Sequence, residues 1–193
     1  MARPREFDLE TVLFKAMRVF VRKGYEGTSI SELAREMGMC RSSVYNAFGD
    51  KRGVYLEAIK CNIRYEKRER HEIFQQASTP LEGLRHFLDR LVLDLVEDSD
   101  LHISFSRHST WGYGPVPSDV SRLSLDWKQE YLRFFASVFE DMQRRGEARA
   151  DQSPRDSALF LYTLQTGLCN AALTLPAEDL KRVADGYLAW VLA

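Results

Sequence analysis

The sequence predicts an all-α protein with a small helix-turn-helix head at its N-terminus and a larger helical body behind it. Apolar residues recur at helical spacing along most of the 193 residues, and no segment alternates as a strand does. Cap residues, prolines and glycines punctuate these stripes into roughly nine helices, three in the head, one linking and five behind. Charge is divided unevenly: residues 1–70 carry 15 Lys and Arg against 10 Asp and Glu, whereas residues 71–193 carry 12 against 18. A basic end on an acidic remainder suits a nucleic-acid-binding head on a body that does not touch nucleic acid. The expected division is residues 1–52 for the head and 53–193 for the body.

In chain order, Arg3-Pro4-Arg5 forms a short basic arm. Asp8 is placed to cap a first helix whose stripe is Val12, Leu13, Ala16, Met17, Val19 and Phe20, ending at Gly24. Two short helices follow. Ser29 with Glu32 three residues on forms a capping box over Ile30, Leu33, Ala34 and Met37, and Gly38 supplies the left-handed residue that stops the run. The second of the pair starts near Arg41, buries Val44 and Phe48, and stops at Gly49. Two short helices joined by a glycine-containing turn are the signature of a DNA-binding hairpin. The cap of the second is Cys40, and a thiol caps poorly.

Asp50 can cap a long helix from about Lys51 to Gln76, with Tyr55, Leu56, Ile59, Ile63 and Phe74 inward and the charged run Arg64 to Glu72 in solvent. Thr79-Pro80-Leu81-Glu82 starts the next helix, expected to end near Asp98. Residues 101–117 are irregular and aromatic. Ser118 or Asp119 opens a helix to about Arg145, Ser153-Pro154 opens an apolar one reaching toward Leu175, and Ala177 to Leu192 forms the last. A head of this size does not need so large a body for stability. The body therefore dimerises, binds a ligand, or does both.

Hydrophobic content of 45% supports a core and 28% charged residues suit a solvated surface. No run approaches a membrane span, and the N-terminus lacks the apolar stretch of a signal peptide, so the expected compartment is the cytoplasm. Three scattered cysteines fit neither a disulfide framework nor a zinc site. A phosphate-binding glycine loop, a GxSxG elbow and an HExxH pair are all absent, so no catalytic residue, cofactor or metal ligand is expected.

Residues 8–55 resemble the TetR/AcrR family of bacterial transcriptional regulators. The residues that carry the resemblance are Phe20, Gly24-Tyr25, Thr28-Ser29-Ile30, Leu33-Ala34, Gly38-Met39, Val44-Tyr45, Phe48, Lys51 and Tyr55-Leu56. Cys40 departs from the family's usual Ser or Thr. The resemblance implies a homodimer that binds a palindromic operator and releases it when a small molecule occupies the body. A thiol- or metal-responsive regulator with the same head is the alternative.

Candidate DNA contacts are Arg41, Ser42, Ser43, Tyr45 and Asn46 on the second helix of the pair, with Thr28, Ser29 and Lys51 as phosphate donors. Arg41 suits guanine or a phosphate, and Asn46 suits adenine. Candidate effector contacts are Phe105, His108, Trp111, Trp127, Tyr131, Gln165 and Cys169, an aromatic set with a few polar anchors, though the same aromatics serve equally as core. Dimerisation is expected through the last two helices, on Leu161, Leu164, Leu168, Ala172, Leu188 and Val191. Cys61 is a candidate reactive thiol.

Overall fold

The structure is a computed structural model that describes the backbone of residues 6–97 and 118–192 and the side chains of residues 9–97 and 119–192. Eight helices lie among the described residues, with no strand: α1 Glu6–Lys23, α2 Ile30–Met37, α3 Arg41–Phe48, α4 Lys51–Gln76, α5 Pro80–Val96, α6 Ser118–Arg144, α7 Pro154–Ala171 and α8 Ala177–Leu192. Roughly nine helices were expected; residues 98–117, with the candidates Phe105, His108 and Trp111, lie outside the described residues, as does the arm Arg3 to Arg5.

The helix boundaries follow local chemistry. Ser29, Thr79 and Ser153 each accept the backbone N–H three residues on, at 3.2, 3.2 and 3.0 Å, and so begin α2, α5 and α7. Asp50 does the same for Gly53 at 2.8 Å and begins α4. Gly38 closes α2 at φ 71°, with its N–H on Arg35 and that of Met39 on Ala34. Two boundaries differ from expectation. α1 extends to Glu6, so Asp8 falls inside it. α7 ends at Ala171 in tight turns rather than running toward Leu175, and Leu173 and Leu175 stand in solvent with no core to hold a further turn.

Two compact units divide the chain, one of residues 6–66 with 118–124 and one of residues 67–97 with 125–192. The first unit is the head. Leu13, Met17 and Phe20 of α1, Leu33 and Met37 of α2, and Val44 of α3 are buried together with Val54, Tyr55, Ala58, Ile59 and Cys61 of α4 and Val120 of α6. Tyr55 packs edge-on to Phe20 at 4.7 Å and against Tyr25 at 5.0 Å, and burial pushes its hydroxyl up to about 12. Packing thus draws the first turns of α4 into the head, so this compact unit extends past residue 52. Cys61 is one of its buried members.

The second unit packs α5, α7 and α8 with the remainder of α6 and the end of α4. Tyr131, Leu84, Leu88, Phe135, Phe139, Met142 and Leu161 are its large, fully buried side chains. Tyr187 donates to the Ser157 carbonyl at 2.9 Å, fastening α8 to the start of α7. Gln143 donates to the carbonyls of Arg149 and Gln152, both at 2.8 Å, and closes the loop after α6.

Two expectations are corrected here. Leu161, Leu168, Leu188 and Val191 are not a dimer surface, because they are buried within the chain itself, and Leu164 and Ala172 are half-buried. The apolar residues that α7 and α8 expose are instead Leu159, Phe160, Val183 and Leu192. The run Arg64 to Glu72 is not uniformly solvated either, since Arg70 is only 6% exposed.

Candidate functional site

The head presents α3 outward by burying what lies beneath it. Val44 is fully buried and Phe48 half-buried, which turns Arg41, Ser42, Tyr45 and Asn46 to solvent. Tyr45 is 52% exposed. Ser43 is half-buried. Its hydroxyl lies 3.0 Å from the Cys40 sulfur, and that of Ser42 lies 3.1 Å from it. These two hydroxyls bring the exposed Cys40 thiol down from 9.0 to about 7. The thiol makes no cap hydrogen bond to the α3 backbone, as its chemistry predicts.

Around α3, the other candidates divide by exposure. Ser29 is exposed at the start of α2. Its partner Glu32 accepts from Lys23 of α1, which holds the Glu32 carboxyl below its usual range and ties α1 to α2. Thr28 is only 4% exposed, and its hydroxyl donates to the Gly24 carbonyl at 2.7 Å. Lys51 donates to the carbonyls of Tyr25 at 2.8 Å and Glu26 at 3.5 Å, with its ammonium 4.4 Å from the centre of the Tyr25 ring. It fastens the α1–α2 turn to the start of α4. Beside it, Arg52 grips Asp119 at the start of α6 through Nε and a terminal nitrogen, the latter at 2.8 Å. That pairing raises the guanidinium and lowers the carboxyl.

In the body, three of the four described effector candidates come together. Trp127 and Tyr131 lie one turn apart on α6 with ring centres 5.6 Å apart, and the Tyr131 hydroxyl donates to Gln165 Oε1 of α7 at 2.7 Å. Cys169 is buried one turn further along α7. The sequence reasoning missed Arg70, whose guanidinium lies 4.7 Å from the Phe134 ring centre and 5.6 Å from that of Tyr131. The signal was present: Arg70 stands seven residues after Ile63 and four before Phe74, on the same α4 stripe. Its charge hid it. No group of three or more metal-ligating side chains occurs among the described residues, and no described helix is long and apolar enough to cross a membrane.

A tight hairpin of two short helices, braced by α1 and offering a polar face on its second helix, defines a helix-turn-helix DNA-binding protein. The family profile described as bacterial regulatory proteins, tetR family, matches residues 12–58. The uncharacterized HTH-type transcriptional regulator YezE of Bacillus subtilis is 35% identical over 192 residues, which span 96% of this chain and 95% of that protein. A cysteine mutant of the TetR family transcriptional regulator CifR, solved in complex with 26-base-pair operator DNA, is 28% identical. It superposes with a TM-score of 0.78, covering 97% of this chain and 98% of that one. The negative regulator of the biofilm operon icaADBC, IcaR of Staphylococcus aureus, is 20% identical over 65% of this chain and 68% of its own. The chain belongs to the TetR family of bacterial transcriptional regulators and is a DNA-binding regulator of transcription.

Proposed function

We propose that the protein is a homodimeric, cytoplasmic repressor whose body binds a small molecule and thereby releases a palindromic operator. The observation that carries the DNA-reading half is the exposed polar face of α3 on a closed apolar core. In this reading residues 1–52 read DNA and residues 53–193 sense and dimerise. Arg41, Asn46 and Ser42 approach base edges, and Ser43, Tyr45 and Ser29 serve the phosphates. Lys51 donates to a phosphate with a proton its two carbonyls leave over, and Thr28 shapes the turn from inside. Repression is supported by the name of the relative IcaR, and operator binding by the complex of CifR.

The dimer surface in this reading is the exposed apolar face of α7 and α8, centred on Leu159, Phe160 and Val183. Two heads related by a two-fold axis then require half-sites about 34–36 Å apart or a multiple of that. Phe160→Glu yields a monomer in sedimentation, and a dimer that survives it refutes this surface.

Fluorescence anisotropy on the DNA flanking the gene tests the reading of α3. Asn46→Ala changes the preferred half-site sequence, while Lys51→Ala weakens every site alike and reduces the salt slope by about one. Unaltered preference and affinity in both variants refute the assignment. No group of metal-ligating side chains among the described residues supports the metal-responsive alternative.

A further inference from the structure

Trp127 is 9% exposed, and its indole Nε1–H is buried without a hydrogen-bond partner. An unsatisfied buried donor carries its full desolvation cost, and such groups are rare enough in native proteins to call for an explanation. The surroundings of this donor are consistent in kind. The Tyr131 hydroxyl already occupies Gln165 Oε1, so the Gln165 amide has its N–H groups left to offer. Two cations lie over the adjoining rings: Arg70 at 4.7 Å from the Phe134 centre, and Lys128 at 4.7 Å from that of Tyr162. Tyr162 itself packs edge-on to Tyr131 at 5.6 Å. Glu130, on the same helix as Trp127, is paired with Lys67 at 2.6 Å. The cluster therefore combines flat aromatic walls, one buried donor without an acceptor, and positive charge.

We infer that Trp127 Nε1–H is the anchor of the effector site and that the effector is a planar aromatic carboxylate. One carboxylate oxygen accepts from Trp127, the Gln165 amide and the two cations favour its charge, and the flat body stacks among the rings. This assignment rests on the proposal that the body senses a small molecule.

The test is a proton–nitrogen correlation spectrum of the full-length dimer titrated with naphthoate, and in parallel with naphthalenemethanol as the neutral counterpart. The chain has three tryptophans, so Trp111→Phe and Trp190→Phe assign the Trp127 indole resonance by elimination. Naphthoate is expected to move that resonance downfield to saturation, and the alcohol to bind about tenfold more weakly or worse. Trp127→Phe is expected to weaken naphthoate about tenfold, and the unliganded melting temperature of the variant tells a loss of binding from a loss of fold. A resonance unmoved by naphthoate, indoleacetate and biphenyl carboxylate overturns the inference, as it would if a fixed water held the N–H. Equal binding of the alcohol overturns the anionic class. Operator release by some other compound, with Trp127 unmoved, sinks this inference and spares the proposed function. Binding at Trp127 that leaves operator affinity unchanged supports the site and refutes its sensing role.

Discussion

The outer face of α3 and the aromatic cluster of the body treat polar groups in opposite ways. On α3, Arg41, Ser42 and Asn46 stand in solvent, where water satisfies them until another surface displaces it. In the body, Trp127 and Arg70 are buried among rings, and the Trp127 indole N–H has no hydrogen-bond partner. The difference teaches where a mutation will be felt. On α3, the candidate DNA-reading side chains point outward and Val44 and Phe48 inward, so the proposed function and stability fall on different residues. In the body the candidate binding residues are also core residues, so function and stability share side chains.

The comparison is broken most directly at the base of the head. Phe20 is 1% exposed and is touched by both Tyr25 and Tyr55. Phe20→Ala is expected to cost about 3–5 kcal/mol in chemical denaturation and to abolish DNA binding, although it touches none of the reading residues. If Phe20→Ala keeps operator affinity, the outward face of α3 does not depend on that core.

A smaller effect belongs to the body. A Cβ at Gly83 of α5 would stand 2.6 Å from Cδ1 of Phe74. Phe74 is hemmed in by Phe134 at 5.2 Å and Phe135 at 5.8 Å and has little room to retreat. Alanine in a helix gains about 1 kcal/mol over glycine, whereas overpacking costs about 1–3 kcal/mol. Gly83→Ala is therefore expected to be net destabilising in denaturant, with DNA affinity of the folded protein unchanged. A stabilised variant would show that the aromatic cluster yields more easily than its packing suggests.

The smallest effect sharpens the contrast at Cys40. Its thiol is lowered from 9.0 to about 7 by the Ser42 and Ser43 hydroxyls. A depressed acid stabilises the fold above its unfolded value, so this contribution is complete above 9.0 and is lost as the pH falls to about 7. Iodoacetamide is expected to alkylate Cys40 with a half-maximal rate near pH 7, while the buried Cys61 and Cys169 stay unmodified in the native protein. Cys40→Ser removes the fast reaction and raises the melting temperature slightly by supplying a hydroxyl cap. A half-maximal rate near 9.0 would mean the two serines do not hold the thiolate.

Much of the head was legible because its determinants are close in sequence. Ser29 and Glu32, Gly38, Asp50 and Gly53, and the stripe from Val12 to Phe20 act over three or four residues, and the helices follow from them. The same holds for Thr79 and Ser153 in the body. Lys51 shows where that legibility stops: read as a phosphate donor at the start of a helix, it also reaches back to the Tyr25 carbonyl, 26 residues earlier. Leu161, Leu188 and Val191 illustrate the same limit, for an apolar stripe looks alike whether it faces its own core or a second copy.

By itself the sequence determined the helical class, most of the helix ends and the outward residues of α3, because caps, glycine turns and helical periodicity are local. Tertiary structure decided which side of α7 and α8 is left exposed, that Lys51 braces the α1–α2 turn, and that Arg70 joins the rings of Tyr131 and Phe134. Those outcomes depend on partners brought in from distant parts of the chain. Burial, unlike a hydrogen bond to the next turn, belongs to the packed assembly and not to any short segment of it.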